Sequence, residues 1–338
     1  MLLHLFAALV AVSTAVLIFA GGLVTSTGSG LSVPDWPSTY GQFMFTFPLE
    51  KMVGGIFYEH SHRLIASTVG FLIVILAIWL WRAEPRPWVR RLGYLALGAV
   101  ITQGILGGIT VLWFLPDPIS IAHAGLAQLV FCLTTAIALV TSPGWKREAA
   151  ADDRMLQRLG VVTTVAIYAQ IVLGASMRHT GAGLAIPDFP LAFGRLVPPV
   201  WSAAIAVHYA HRVGALVVTA LILATVGHVF YHHGRSGKLR MPSILLVLLV
   251  GLQITLGALT VLSGKHYIIN SLHVVTGGLV LVTSLVLTLR AWRPRIGIAG
   301  SEVAGSKEQE PAYGRGVDVG GVRRAGPALR TRQPGARA

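Results

Sequence analysis

Apolar positions in this sequence run together in long stretches broken by short polar intervals, without the one-sided periodicity of a helix half-immersed in water. The runs lie near residues 2–25, 56–82, 94–115, 118–142, 156–177, 201–231, 241–263 and 267–291. About 20 helical residues cross the ~30 Å hydrocarbon core of a bilayer. Every run is about that long or longer, which predicts an all-α integral membrane protein of eight transmembrane helices. The first run is too long for the apolar core of a secretory signal, and only His4 offers a charge before it. It is therefore read as a helix.

Composition agrees. Of 338 residues, 54% are hydrophobic and 12% charged, and the mean hydropathy is +0.69. A soluble domain carries roughly 25% charged residues. The net charge of +14 raises the question of nucleic acid, and the position of the charge answers it. Arg82, Arg86, Arg90 and Arg91 lie between the second and third runs, Lys146, Arg147, Arg154 and Arg158 beside the fourth and fifth, and Arg235, Lys238 and Arg240 between the sixth and seventh. The opposite loops hold Lys51, Arg178, Arg195 and Lys265. That asymmetry follows the positive-inside rule and predicts a protein of the cell (inner) membrane with both termini cytoplasmic. The partner it implies is the lipid bilayer, not nucleic acid. Residues 293–338, rich in Gly, Arg, Pro and Ala, have no apolar period and are expected to form a disordered cytoplasmic tail. The one cysteine, Cys132, falls inside the fourth run, so no intramolecular disulfide is possible.

The chain repeats itself. Residues 27–41 read TGSGLSVPDWPSTYG and residues 180–194 read TGAGLAIPDFPLAFG; residues 103–112 read QGILGGITVL and residues 253–262 read QITLGALTVL. His-Arg at 62–63 recurs at 211–212, and His123 is answered by His273. All four matches share an offset of about 150 residues. Four runs per half is an even number, so both halves enter the membrane in one direction, as two parallel-repeat four-helix bundles. The expected units are residues 1–142, a linker over 143–155, residues 156–292 and the tail over 293–338.

Twelve histidines need sorting. His4, His179, His232, His233 and His266 fall at the terminus or in loops and read as ordinary polar residues, and His228 as interfacial. His62, His123, His211 and His273 differ: each sits inside a run, towards its outer end, in the second or fourth helix of its half. Ionisable groups there are costly and suggest a functional site. A closed zinc site would gather about four ligands. Two imidazoles on opposite helices of each half suit the axial positions of a haem iron. The glycines of the third and seventh runs (Gly104, Gly107, Gly108, Gly251, Gly257) would let a flat macrocycle approach backbone, or serve helix packing. The repeat fails at one informative place. Glu59 stands one turn before His62, whereas the residue before His211 is His208. His60 faces away from His62 and its counterpart is Tyr209, so it is not expected to be a ligand. Arg63 and Arg212 are placed to pair with haem propionates.

These residues resemble the haem A synthase family. The resemblance rests on Glu59-His60-Ser61-His62-Arg63, His123, His211-Arg212, His273 and both Gly-Leu-x-x-Pro-Asp-Trp/Phe-Pro loops, and covers residues 1–292. It implies oxidation of a ring methyl of haem O to a formyl group, giving haem A for terminal oxidase assembly. It implies that His62 and His123 hold the substrate haem O, that His211 and His273 hold a haem b, and that Glu59 is the catalytic carboxylate. The implied partners are the haem O-producing farnesyltransferase, cytochrome oxidase assembly factors and an electron acceptor that the sequence does not identify. Many bacterial members carry a cysteine pair in the first outer loop. Here those positions are Val33 and Thr39, and Ile186 and Ala192 in the second loop, so a loop disulfide is unavailable. Two other readings stand beside it: a bis-histidine membrane cytochrome b that only carries electrons, which gives Glu59 no duty, and a parallel-repeat transporter, which leaves the paired histidines unexplained.

Overall fold

The structure, a computed structural model, describes residues 1–147 and 152–305. Among the described residues eight helices are long and apolar enough to cross a membrane: α1 (Leu2–Ser26), α2 (Gly55–Ala83), α3 (Pro87–Leu112), α4 (Asp117–Thr141), α5 (Arg154–His179), α6 (Ala203–His233), α7 (Gly237–Leu262) and α8 (Tyr267–Gly305). The chain is a multi-pass membrane protein. Its lipid-facing surface is apolar in a way that water would not tolerate: α7 alone exposes Met241, Leu245, Leu248 and Leu252.

Helix bounds differ from the apolar runs where charge lies near an end. α3 begins at Pro87, seven residues before the expected 94, because Pro87 suits the first turn of a helix and Arg90 and Arg91 can extend towards polar headgroups. His179 closes α5 and His232 and His233 close α6, so none of the three lies in a loop. α8 continues past 292 to Gly305 with Pro294 inside it. A short helix, Pro143–Arg147, opens the segment expected as a linker, and the rest of the expected tail, 306–338, lies outside the described residues.

In the first half α1, α2, α3 and α4 close a ring, each packing on the next and α4 on α1. Its core is a ladder along α2 (Val69, Ile73, Leu76, Leu80) meeting Ala7 and Val10 of α1 and Val130 and Ile137 of α4. In the second half α6 packs on both α5 and α7. α8 meets α7 through His273 and Gln253 and α5 through the hydroxyls of Ser284 and Thr164, 2.8 Å apart. The halves meet along α1, α4, α5 and α8, where small residues bring backbones together: a Cβ on Gly22 would lie 3.2 Å from Ser271, and one on Gly278 only 2.7 Å from the Gln128 amide. Arg178 of α5 donates to the Gly22 carbonyl and the Ser26 hydroxyl of α1. At the arginine-rich end Asp153 caps α5, accepting from the Leu156 N–H. Its other oxygen contacts the Nε2 atoms of His228 and His233 at 2.8 and 2.7 Å, tying α5 to the end of α6.

Candidate functional site

Two long loops lie at the other end, after α1 and after α5, and they share one construction. In the first, Asp35 accepts from the N–H groups of Tyr40 and Gly41 at 2.7 and 2.8 Å. In the second, Asp188 accepts from Phe193 and Gly194 at the same two distances. Both turns put an aromatic residue and then a glycine at positive φ (Tyr40 51° and Gly41 72°; Phe193 56° and Gly194 73°). A bulky residue there is strained, and the two N–H groups it presents are what the aspartate captures. Burial pushes the Asp35 carboxyl up, but the Ser38 hydroxyl and the turn N–H groups outweigh it and hold it below the usual carboxylate range. The N–H groups of Gly194 and Phe193 hold Asp188 below that range too. Trp36-Pro37 and Phe189-Pro190 are both cis. Trp36 lies on α3, where a Cβ at Gly108 would overlap its ring at 2.7 Å. The smaller Phe189 pairs in the repeat with Ala258 instead of glycine.

Arginines one residue after the helix histidines hold these loops. Arg63 donates to the carbonyls of Val33, Asp35 and Ser38. Arg212 donates to those of Ile186, Asp188 and Leu191. The two sets correspond residue for residue at an offset of 153. Loop carbonyls without strand or helix partners need donors, and a guanidinium supplies several in a fixed fork.

Glu59 and His208 also do a matching task. Glu59 is buried (3% exposed). Its Oε2 accepts from the Val33 N–H at 2.8 Å and its Oε1 from Arg63 at 2.7 Å. His208 Nδ1 accepts from the Ile186 N–H at 3.3 Å. One half therefore anchors its loop with a carboxylate, the other with an imidazole. His60 is buried, its Nδ1 3.1 Å from Thr39 Oγ1 and its ring against Phe47, and it takes no part in the histidine pairs. Val33, Thr39, Ile186 and Ala192 are all buried under the loops.

Below the loops sit the four remaining histidines, each with its ring against a glycine of the neighbouring helix. A Cβ at Gly21 would lie 3.1 Å from His62, one at Gly107 3.1 Å from His123, one at Gly174 2.8 Å from His211 and one at Gly257 3.0 Å from His273. Gly107 and Gly257 lie in the repeated QGILGGITVL and QITLGALTVL segments. Gly21 and Gly174 were not singled out in the sequence, where they look like ordinary small helix-packing residues. Their signal is the shared offset of 153 and the four-residue spacing from Leu17 and Gln170. Glutamines stand beside three of the histidines: Gln103 donates to the His123 carbonyl, Gln170 contacts both the carbonyl and Nδ1 of His211, and Gln253 contacts His273. The Nδ1 atoms of His62 and His123 and the amide oxygens of Gln103 and Gln253 are buried with no hydrogen-bond partner. Buried polar atoms left unsatisfied in this way mark a place where a ligand belongs. Paired imidazoles flanked by glycines and apolar helix faces fit a planar iron macrocycle.

Sequence comparison adds an independent finding. A family model described as cytochrome oxidase assembly protein matches residues 4–286. A haem A synthase from Geobacillus kaustophilus is 31% identical over 279 residues, covering 79% of this chain and 84% of its own. One from Halalkalibacterium halodurans is 30% identical over 282 residues, covering 80% and 91%. One from Shouchella clausii is 36% identical over 213 residues, covering 61% and 69%.

Proposed function

The chain belongs to the haem A synthase family of cytochrome oxidase assembly proteins, membrane oxidoreductases that make haem A, and from that premise we propose that its first half oxidises haem O while its second half keeps a haem b. His62 and His123 hold the substrate, and His211 and His273 hold the resident haem b. The observation that carries this division is the single carboxylate: Glu59 stands one turn from His62, and its counterpart His208 is not an acid. An electron-carrying cytochrome would have no use for that difference.

The resident haem, when bound, supplies one-electron redox chemistry; the rest is done by the chain. The paired histidines would hold the substrate ring within reach of Glu59, one helical turn from His62. Glu59 holds negative charge where positive charge develops at the reacting methyl carbon. Arg63 and the Val33 N–H orient the carboxylate by one hydrogen bond to each oxygen, and a carboxylate so held can still accept a proton. Arg63 and Arg212 hold the loops closed over the two sites, with any propionate contact made beside those carbonyls. α4 and α8 touch at Gln128, Phe131 and Gly278, so the two sites are neighbours across the interface and electrons need not leave the protein between them.

The orientation proposed is the one the arginines dictate: histidine end and loops outside, both termini in the cytoplasm, in the cell membrane. The halves are related as parallel repeats about an axis near the membrane normal. Partners are the farnesyltransferase that supplies haem O and the factors that receive haem A. Purified protein should show a low-spin haem spectrum, and His211→Ala or His273→Ala should each remove most of the extractable haem b. Parental haem b content in both variants would overturn the assignment of the second half.

A further inference from the structure

We infer that His62 is the exchangeable haem ligand, and that the residue at position 17 or 170, leucine in one half and glutamine in the other, decides which half releases its haem. The inference rests on the substrate and cofactor assignment above and deepens it. A substrate site must let its haem go after each turnover, whereas a cofactor site must not. Both sites present two histidines on facing helices, each 2.8–3.1 Å from where a Cβ on the neighbouring glycine would lie, so the ligands themselves do not explain the difference.

The supports behind the ligands do. In the second half the Gln170 amide contacts His211 twice, at 3.0 Å to Nδ1 and 2.7 Å to its carbonyl. The amide nitrogen donates to the carbonyl; when His211 binds iron through Nε2 its Nδ1 carries the proton, and the amide turned about presents Oε1 to accept it, so this clamp supports the imidazole from the neighbouring helix. Gln170 stands four residues before Gly174, the glycine beneath His211. Four residues before Gly21, the glycine beneath His62, stands Leu17. Leucine offers no hydrogen bond, and His62 Nδ1 is buried with no partner. On the other side Gln103 and Gln253 occupy matching positions beside His123 and His273, although only His273 Nδ1 has a partner, the Gln253 carbonyl at 3.1 Å. The supporting side chains thus differ in type only at position 17 or 170. An imidazole held by an outer hydrogen bond is a better-oriented ligand, and loss of such a support typically costs about 10–100-fold in metal affinity. Gln170 acts through His211, so it is a positioning residue.

The test uses full-length protein in detergent, isolated from cells that make haem O, mixed with excess apomyoglobin as haem acceptor. Haems remaining on the protein are extracted and separated over time, so haem b reports the second half and haems O and A the first. In the parental protein haems O and A should leave at least about tenfold faster than haem b. Gln170→Leu should speed haem b release by about 10–100-fold and shift the low-spin electron paramagnetic resonance signal, which reads the relative orientation of the two imidazole planes. Leu17→Gln, which adds the clamp to the first half, should slow release there. That gain is something a residue with only a packing role would not transfer, and it also stands as the test if Gln170→Leu fails to fold. Unchanged release in Leu17→Gln, or unchanged release and resonance in a folded Gln170→Leu, overturns the inference. Failure of the underlying assignment looks different: haem b would then be the first to leave the parental protein.

Discussion

At the scale of single residues, the histidines, Glu59 and the two arginines stand out in sequence because charge and imidazole inside apolar runs are costly. Their supports do not. Gly21 and Gly174 look like any small residue in a membrane helix, and only the structure shows imidazole rings 3.1 and 2.8 Å from where their Cβ would be. Gly174→Ala should therefore displace His211, since overpacking costs about 1–3 kcal/mol, and reduce bound haem b severalfold in a pyridine haemochrome assay. Gly98→Ala, with open space around its Cβ, should leave haem b at the parental level. Equal loss in both would show that helix propensity, not the ring contact, sets the effect. The arginines were expected at haem propionates from their neighbourhood in sequence. In the structure their forks go first to loop carbonyls, because a loop of tight turns leaves more carbonyls unpartnered than sequence alone reveals.

At the scale of elements, apolar run length was enough to place all eight helices, since the bilayer fixes how long such a run must be. It was not enough to place ends. α3 starts early and α8 runs on, because helix elongation is governed by backbone hydrogen bonding and continues into charged sequence once a helix has formed. The loops were legible as a repeat but not as a pair of aspartate-captured turns. Those turns give a pH prediction. Asp35 and Asp188 are both held below the usual carboxylate range. Depressed groups stabilise the fold fully above their unfolded value, about 4, and the contribution disappears as pH falls through the lower folded value. Melting temperature in detergent should thus carry the full, pH-independent contribution of these groups between pH 8 and 5 and fall below about pH 4. The double variant Asp35→Asn, Asp188→Asn should start lower at neutral pH and show a shallower acid fall. An acid fall as steep as the parental one would mean that the turns do not carry it.

At the scale of the whole molecule, the repeat predicts two comparable halves, and α1 and α4 contact α5 and α8. That interface was invisible in sequence because its small and hydroxyl residues, the apolar cluster of Ile18, Phe131 and Val282 and the lone Arg178 carry no pattern that sets them apart from other helix positions. Reporter fusions in the loops holding Asp35 and Asp188 should read outside and fusions at the C-terminus inside; a cytoplasmic signal from either aspartate loop contradicts the orientation. Deleting the chain beyond Gly305 should leave haem content and haem A production near parental, since the site helices end before it. A large loss in a stably inserted truncation would assign that segment a role.

What the molecule does turns on a place where its halves part company, a carboxylate at position 59 where the repeat has an imidazole at position 208. The most direct measurement is the haem A fraction extracted from cells that make haem O and express Glu59→Gln, read beside the haem b spectrum of the same protein. Glutamine keeps size and hydrogen bonding while removing the charge. Conversion should fall by at least about tenfold, since a positioned acid or base typically contributes roughly 10²–10⁴ in rate, and the haem b spectrum should stay parental. His208→Ala should do the reverse, perturbing the haem b spectrum with a smaller effect on conversion. Haem A made at the parental rate by Glu59→Gln, with conversion stopped in His208→Ala, would place the chemistry in the other half.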